Sequence, residues 1–250
     1  VTNSWYEEFF AGAALEVWRN AKSAEENIAE CRFLTGVLNA PSGSHLLDVP
    51  CGNGRLSLPM AAAGFTVTGL DCSQELVTEA QKAATHAKLK KNRIEFIQGD
   101  MREMSLDQKG DGAFCMGNSF GYFDRKGTTQ FLLSVSAHLR SGARFVIDSA
   151  MTAESFLVNG GEREWIEVAG TYMLIENQYD CRKGCVKTDY IFIRDSKEER
   201  RQAFHWIFSV SEICCMLEKA NFKIVDLFSS TDCDPFALGS DRLLLVAEQR

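Results

Sequence analysis

Over residues 4–20, Tyr6, Phe10, Ala13, Ala14 and Val17 recur at helical spacing, so one amphipathic helix is expected there. A second is expected over 23–39. Ser23 and Glu26 stand three residues apart at its start, the form of a capping box. Pro41-Ser42-Gly43 closes this helical prelude. From residue 44 the pattern alternates. Short apolar runs at 44–49, 65–70, 93–97, 111–116 and 143–149 read as strands. Helical periodicity fills about 54–63, 73–90 and 126–139, with Ser73 as the N-cap of the second of these. Strands spaced by helices imply a parallel sheet covered on both faces, with right-handed crossovers.

The rhythm changes near residue 162. Segments 162–168, 171–180, 186–194 and 201–208 are rich in β-branched and aromatic residues, and short turns separate them. Four antiparallel strands are expected. A helix over 210–220 and strands at 222–229 and 241–248 end the chain. The organisation is therefore an N-terminal helical cap (1–42), an α/β core (43–150 and 209–250) and an antiparallel insertion (151–208). The insertion is expected to serve either as a lid over a substrate or as a homodimer interface.

Composition narrows the function. The chain has 250 residues, 45% of them hydrophobic, and a net charge of −7. An acidic balance lacks the basic surface that phosphate backbones require, so no nucleic-acid partner is expected. Lys88-Leu89-Lys90-Lys91 and Glu199-Arg200-Arg201 are short runs that read as solvated turns or helix faces. No run approaches the length of a membrane span, and Val1-Thr2-Asn3-Ser4-Trp5 has no basic region followed by an apolar one. Neither a membrane partner nor a signal peptide is expected. Nine cysteines without regular spacing argue for buried thiols in a reducing, cytoplasmic setting. Cys181 and Cys185 flank a turn, but no second pair completes a zinc set, so no metal is expected.

Three segments carry candidate chemistry. Leu46-Leu47-Asp48-Val49-Pro50-Cys51-Gly52-Asn53-Gly54-Arg55 brings an acid off a strand into a turn with two glycines. Such a turn lets backbone pass close to a ligand. A dinucleotide fold would complete GxGxxG, whereas Ser57 stands where the third glycine would be. Asp48 suits a cationic part of a ligand better than a pyrophosphate. Asp71, at the end of the next strand, can accept both hydroxyls of a ribose. Gly99-Asp100-Met101 follows the third strand, where a carboxylate beside a backbone N–H can read an adenine edge. Each residue has a plainer role open to it: Asp48 and Asp71 as helix-capping groups, Asp100 and Asn118 as turn residues.

LDVPCGNGR, VTGLDCS and FIQGDMRE, in this order, resemble the first three motifs of class I S-adenosylmethionine-dependent methyltransferases. Asn118-Ser119-Phe120-Gly121-Tyr122-Phe123 resembles the SFGYF segment of a bacterial small-molecule branch of that family, as does the aromatic stretch Trp5-Tyr6-Glu7-Glu8-Phe9-Phe10. The resemblance implies a doubly wound, Rossmann-like sheet of seven strands in the order 3-2-1-4-5-7-6, with the seventh antiparallel. It implies S-adenosyl-L-methionine as cofactor. The loop of Asp48, Cys51, Gly52, Asn53 and Gly54 would hold its methionine part, Asp71 its ribose and Cys72 one face of its adenine. Asp100 and the Met101 amide would meet the adenine edge, with Asn118 and Ser119 beside the sulfonium. Pro50 departs from the glycine common at that place.

Methyl transfer needs chiefly alignment, with a base to remove an acceptor proton where one is required. Tyr122, Asp148, His205 and Tyr190 are the candidates. His205, in Phe204-His205-Trp206-Ile207-Phe208, also reads as a packed strand residue. Tyr6, Phe9, Phe10, Phe120 and Tyr122 are expected to wall an apolar acceptor pocket, roofed by the insertion and the 230–240 loop. The expected reaction is N- or O-methylation of a small molecule. A DNA amino-methyltransferase is disfavoured, since Asn118-Ser119-Phe120-Gly121 lacks the paired prolines of that class. A non-catalytic cofactor-binding module and an NAD-dependent oxidoreductase remain as alternatives.

Overall fold

The computed structural model describes residues 4–90 and 92–250. The reading of Val1–Asn3 and the Lys91 end of the short basic run lie outside the described residues.

The expected first helix is two. Helix α1 (Trp5–Phe9) and helix α2 (Gly12–Arg19) are separated by a break, and Gly12 adopts φ +58°. Residue periodicity could not reveal the break, because the apolar positions continue through it. Helix α3 (Ala24–Val37) is capped as expected. Ser23 Oγ accepts from the Glu26 amide, and Glu26 accepts in return from the Ser23 amide.

The core then alternates: β1 (His45–Asp48), α4 (Ser57–Ala62), β2 (Thr66–Asp71), α5 (Gln74–His86), β3 (Ile94–Gln98), β4 (Gly110–Cys115), α6 (Arg125–Ala137) and β5 (Leu139–Ser149). Helix α7 (Ala153–Asn159) leads into β6 (Arg163–Val168), β7 (Thr171–Asp180), β8 (Cys185–Arg194) and β9 (Lys197–Trp206). Helix α8 (Val210–Lys219), β10 (Phe222–Phe228) and β11 (Leu243–Gln249) follow. Sequence reading missed α7, whose seven residues are too few to show a period. It also began β9 late, because Asp195 to Glu199 read as a turn; the turn itself is only Asp195-Ser196.

The central sheet has seven strands in the order β10-β11-β5-β4-β1-β2-β3, and β11 runs antiparallel to β5. This is the order expected from the resemblance. Strand β6 to strand β9 form a separate antiparallel sheet. The central strands are buried on both faces, as parallel strands between helices must be. Leu47, Phe145 and Leu245 pack into one core with α6 and α8, while Leu46, Phe114 and Val246 pack into another with α3, α4 and α5. Phe114 and Phe145 are fully enclosed on opposite faces, and truncating either to alanine costs about 3–5 kcal/mol.

Helix α1 and helix α2 lie on the antiparallel sheet. Phe9 meets Tyr190 edge-on at 5.3 Å, and Trp18 meets Tyr190 at 5.8 Å and Phe192 at 6.2 Å. Trp5 is likewise packed, whereas Trp165 stands 67% exposed on the outer sheet. Among the described residues no helix is long and apolar enough to cross a membrane.

Candidate functional site

Strand order reverses direction between β1 and β4: the chain winds outward through β2 and β3, then returns to build β4 and β5 on the other side. Loops leaving the carboxyl ends of β1 and β4 therefore diverge and leave a crevice, the place where open α/β sheets bind ligands. A cavity of about 410 Å³ opens there. Its size falls within the ~300–1,000 Å³ typical of sites for small molecules and cofactors.

Asp48 ends β1 and is 3% exposed. Its Oδ2 accepts from Ser57 Oγ at 2.6 Å, and burial pushes its pKa up to about 7 against the pull of Ser57 and Arg55. Ser57, in the position of the missing third glycine, is thus a partner for the acid. The turn beyond Asp48 is drawn in tightly. The Cys51 amide donates to Leu70 O at 2.9 Å, and the Gly54 amide to Cys51 O at 3.0 Å. Gly52 and Gly54 take φ +54° and +81°. A Cβ on Gly54 would stand 2.8 Å from Phe96 Cζ, and one on Gly69 would stand 2.9 Å from Cys51 Sγ. These glycines let the turn, β2 and Phe96 close on one another. Gly69 and Phe96 carried no signal in the sequence beyond ordinary strand residues.

Asp71 ends β2. Its Oδ2 accepts from the Gly52 amide at 2.8 Å and its Oδ1 from the Ser73 amide at 2.9 Å. Burial raises its pKa. Each oxygen keeps a lone pair for a further donor, so the capping and ligand-binding roles coexist. Asp100 follows β3 and caps the 3₁₀ turn Met101–Glu103. Burial pulls its carboxyl up, but the Arg102 guanidinium and amide outweigh that and lower it. Arg102 also meets Tyr6 Oη at 3.2 Å and lies 4.4 Å over the Phe123 ring.

The cavity is bordered by Asp48, Cys51, Gly52, Asn53, Asp71, Cys72, Asp100, Met101 and Ser119 from the core, and by Tyr6, Phe10 and Tyr122 from the sequence-derived acceptor set. Gly54 acts one layer behind, through the turn. Helix α2 adds Leu15, Trp18 and Arg19, which sequence reading did not single out. Their apolar-face spacing was legible, but not which neighbour they face.

Six expected site residues are placed elsewhere, among them Phe9 and Tyr190, which pack against each other at 5.3 Å and line other cavities. Asn118, at φ +64°, turns its Oδ1 to the Ala150 amide at 2.8 Å and so faces away from this cavity, while its neighbours Gly117 and Ser119 line it. Phe120 is 2% exposed and packs against Phe208, a core residue and not a wall of the cavity. Asp148 is 5% exposed and is held by Arg242 at 3.0 Å and by the Gly117 amide at 3.0 Å, so it positions the loop after β4 and does not line the 410 Å³ cavity. His205 lines a separate cavity, with its ring 5.2 Å from Tyr122. Of the base candidates, Tyr122 alone touches the 410 Å³ cavity, and burial raises its hydroxyl far above the ordinary range.

Beside the cavity lies a charged cluster that sequence reading did not assemble. Glu30 is 1% exposed. It pairs with Arg55 at 2.6 Å and with Arg242 at 3.2 Å, and Arg242 bridges on to Asp148. Arg55 also donates to Asn27 Oδ1 at 2.6 Å. These residues come from α3, the glycine turn, β5 and the start of β11, so only the tertiary fold assembles them.

Residues 46–142 match a family model described as a methyltransferase domain. The ubiquinone biosynthesis O-methyltransferase of Rickettsia akari is 30% identical over 105 residues, which cover 42% of this chain and 39% of that protein. The chain spans about half or less of the length of the curated relatives it matches. Among solved structures, an S-adenosylmethionine-dependent methyltransferase from Clostridium acetobutylicum superposes with a TM-score of 0.79 at 20% identity, over 92% of this chain and 93% of that one. The S-adenosylmethionine-bound amino pentose methyltransferase from Micromonospora echinaspora superposes with a TM-score of 0.71 at 17% identity, over 96% and 98%.

Proposed function

We propose that this chain, whose fold and 46–142 domain are those of the class I S-adenosylmethionine-dependent methyltransferases, transfers a methyl group from S-adenosyl-L-methionine to a small-molecule acceptor at nitrogen or oxygen. One observation carries the reading: Asp48, Asp71 and Asp100, delivered by the ends of three parallel strands, border a single cavity beside a glycine turn.

The residues fit the cofactor part by part. Asp48 is a buried carboxyl with one hydroxyl partner, and it offers its remaining lone pairs to an ammonium. Asp71 presents two half-used oxygens to a diol. Met101, Leu76 and Cys72 flank a slot with Asp100 at its polar edge, which suits a flat heterocycle. The cofactor, held by these residues, would supply an activated methyl to an acceptor's lone pair. The chain's own part is alignment and exclusion of water. Leu15 and Trp18 of helix α2 line the cavity together with Tyr122 and Ser119.

Isothermal titration with S-adenosylmethionine, S-adenosylhomocysteine and NADH tests the reading. Micromolar binding of both sulfur nucleotides, about −8 kcal/mol, with no NADH signal is the expected result. NADH binding with silence from both sulfur nucleotides would replace it with an oxidoreductase. Binding without methyl transfer to any acceptor would leave a cofactor-binding module.

A further inference from the structure

Strand β6 ends the antiparallel sheet, with β7 as its one partner strand. The opposite edge strand, β9, packs against α1 and is tied to the core, where the Trp206 amide donates to Gly121 O at 2.7 Å. Among the described residues nothing comparable covers β6: Arg163 to Glu167 are all exposed.

One bond shows which of its backbone groups are free. The Asn177 amide donates to Glu162 O at 2.8 Å. In an antiparallel pair, residues that exchange bonds alternate with residues that do not. The register therefore turns the backbone of Glu164, Ile166 and Val168 toward β7, and that of Arg163, Trp165 and Glu167 toward the open edge. Among the described residues no backbone bond from outside the sheet reaches these last three. A row of free N–H and C=O groups is a template for another strand.

Native edges are commonly blunted by a proline, a bulge or charge. Strand β6 has no proline and pairs with β7 in unbroken register. Its charges do not repel a second β6. Arg163 and Glu167 each stand two residues from Trp165, so all three share one face of the sheet. On that face the Trp165 ring lies 6.1 Å from the Tyr172 ring, and Leu174 is opposite Trp165 in register. Arg163 already leans on Glu176 of β7, whereas Glu167 is in no ion pair among the described residues.

The strand is thus its own complement. An antiparallel copy aligned on Trp165 sets Arg163 of each chain across from Glu167 of the other, and Trp165 across from itself. All three outward-facing residues then exchange backbone bonds with the second copy. Of the registers that join outward-facing residues, this one alone opposes Arg163 to Glu167. Opposite charges and paired aromatics across neighbouring strands both stabilise a sheet.

We propose that β6 joins β6 of a second copy of this chain, antiparallel and centred on Trp165, so that two four-stranded sheets become one of eight strands. The inner face of the insertion stays with α1 and α2, through Phe9 and Trp18 on Tyr190. The pairing stands independently of the methyltransferase reading.

Sedimentation velocity of the full chain at rising concentration tests it. A dimer with a micromolar dissociation constant is expected. Arg163→Glu and Glu167→Arg each set like charges across the two-fold, and each is expected to weaken the dimer about tenfold. The double variant, Arg163→Glu with Glu167→Arg, restores opposite charges and is expected to return close to the parental constant. Both side chains are exposed, and circular dichroism checks that each variant keeps the fold. Hydrogen exchange in the parent chain tests the edge without a substitution: the Arg163, Trp165 and Glu167 amides are expected to slow as concentration rises. A monomer at every concentration overturns the proposal and leaves the edge to a strand of another protein. A dimer indifferent to both single substitutions lies elsewhere on the surface and overturns it too. Weakening in both single variants without recovery in the double variant overturns the pairing centred on Trp165.

Discussion

The Asp71 carboxylate holds the Gly52 amide at 2.8 Å, so the end of β2 ties down the glycine turn that leaves β1. The same carboxylate takes the Ser73 amide at the start of α5. One side chain therefore shapes the turn and faces the cavity. Asp71→Ala frees both amides and removes the proposed ribose acceptor, and S-adenosylhomocysteine affinity is expected to fall about a hundredfold, two tenfold steps of ~1.4 kcal/mol. Asp71→Asn keeps one acceptor oxygen for the turn, and its melting temperature should lie closer to that of the parent. Calorimetry and thermal melts on both variants separate the roles. Parental affinity in Asp71→Asn would mean that the residue serves the turn alone.

Asp48 is expected to make cofactor binding depend on pH. Its folded pKa of about 7 lies above the ordinary ~4 of an aspartate. Between those values the folded chain holds a proton that the unfolded chain has released, so stability falls as pH rises from about 4 to about 7, and the full cost stands above 7. Asp48→Asn removes that cost. It is expected to raise unfolding free energy at about pH 8 by on the order of 1–3 kcal/mol, with no gain near pH 4. A bound ammonium favours the carboxylate form, so S-adenosylhomocysteine affinity in the parent should climb up to about pH 7 and then level. Chemical denaturation and calorimetry across this range check both curves. A flat affinity profile would mean that no cation meets Asp48.

The parts legible in the sequence are those where local pattern and local chemistry coincide. Each of Asp48, Asp71 and Asp100 follows a strand with a clear apolar run, so its place at the sheet's carboxyl edge could be read from spacing. The capping box at Ser23 and Glu26 is equally local. What stayed hidden depends on contacts between distant segments. Asn118 and Ser119 are adjacent, yet a positive φ at Asn118 sends their side chains to different cavities. Asp148 stands where an acid could serve a substrate, but Arg242, 94 residues away in sequence, claims it.

Arg242 bridges two buried acids, Asp148 at 3.0 Å and Glu30 at 3.2 Å. Arg242→Met leaves Asp148 without its cation and leaves Glu30 to Arg55, and unfolding free energy is expected to drop by about 3–5 kcal/mol, as when a buried pair loses one partner. Asp148 also holds the Gly117 amide, so the loop after β4 should loosen and hydrogen exchange at Gly117 should quicken. Denaturant unfolding with hydrogen-exchange mass spectrometry reads both effects. A loss below about 1 kcal/mol would place Arg242 with ordinary surface pairs.

Glu199, at the start of β9, latches a helix that lines the cavity. Its two oxygens accept from the Ala13 amide at 3.3 and 3.2 Å, and Arg201 steadies it at 3.2 Å. A Cβ on Gly12 would stand 2.4 Å from Glu199 Oε2, so glycine is what lets the carboxylate reach the helix start. The other end of α2 is fastened by Arg19 to Glu79 of α5. Between these two points α2 lines the cavity with Leu15 and Trp18, so a ligand of that cavity is expected to leave more readily when α2 is loosened. Glu199→Ala removes a cap worth about 1 kcal/mol. S-adenosylhomocysteine dissociation should quicken about fivefold, with little change in global unfolding, because the latch secures α2 and not the sheet. Arg19→Ala should act in the same direction from the opposite end. Stopped-flow displacement measures both rates. Dissociation unchanged in each variant would show that the ligand escapes by a route that leaves α2 in place.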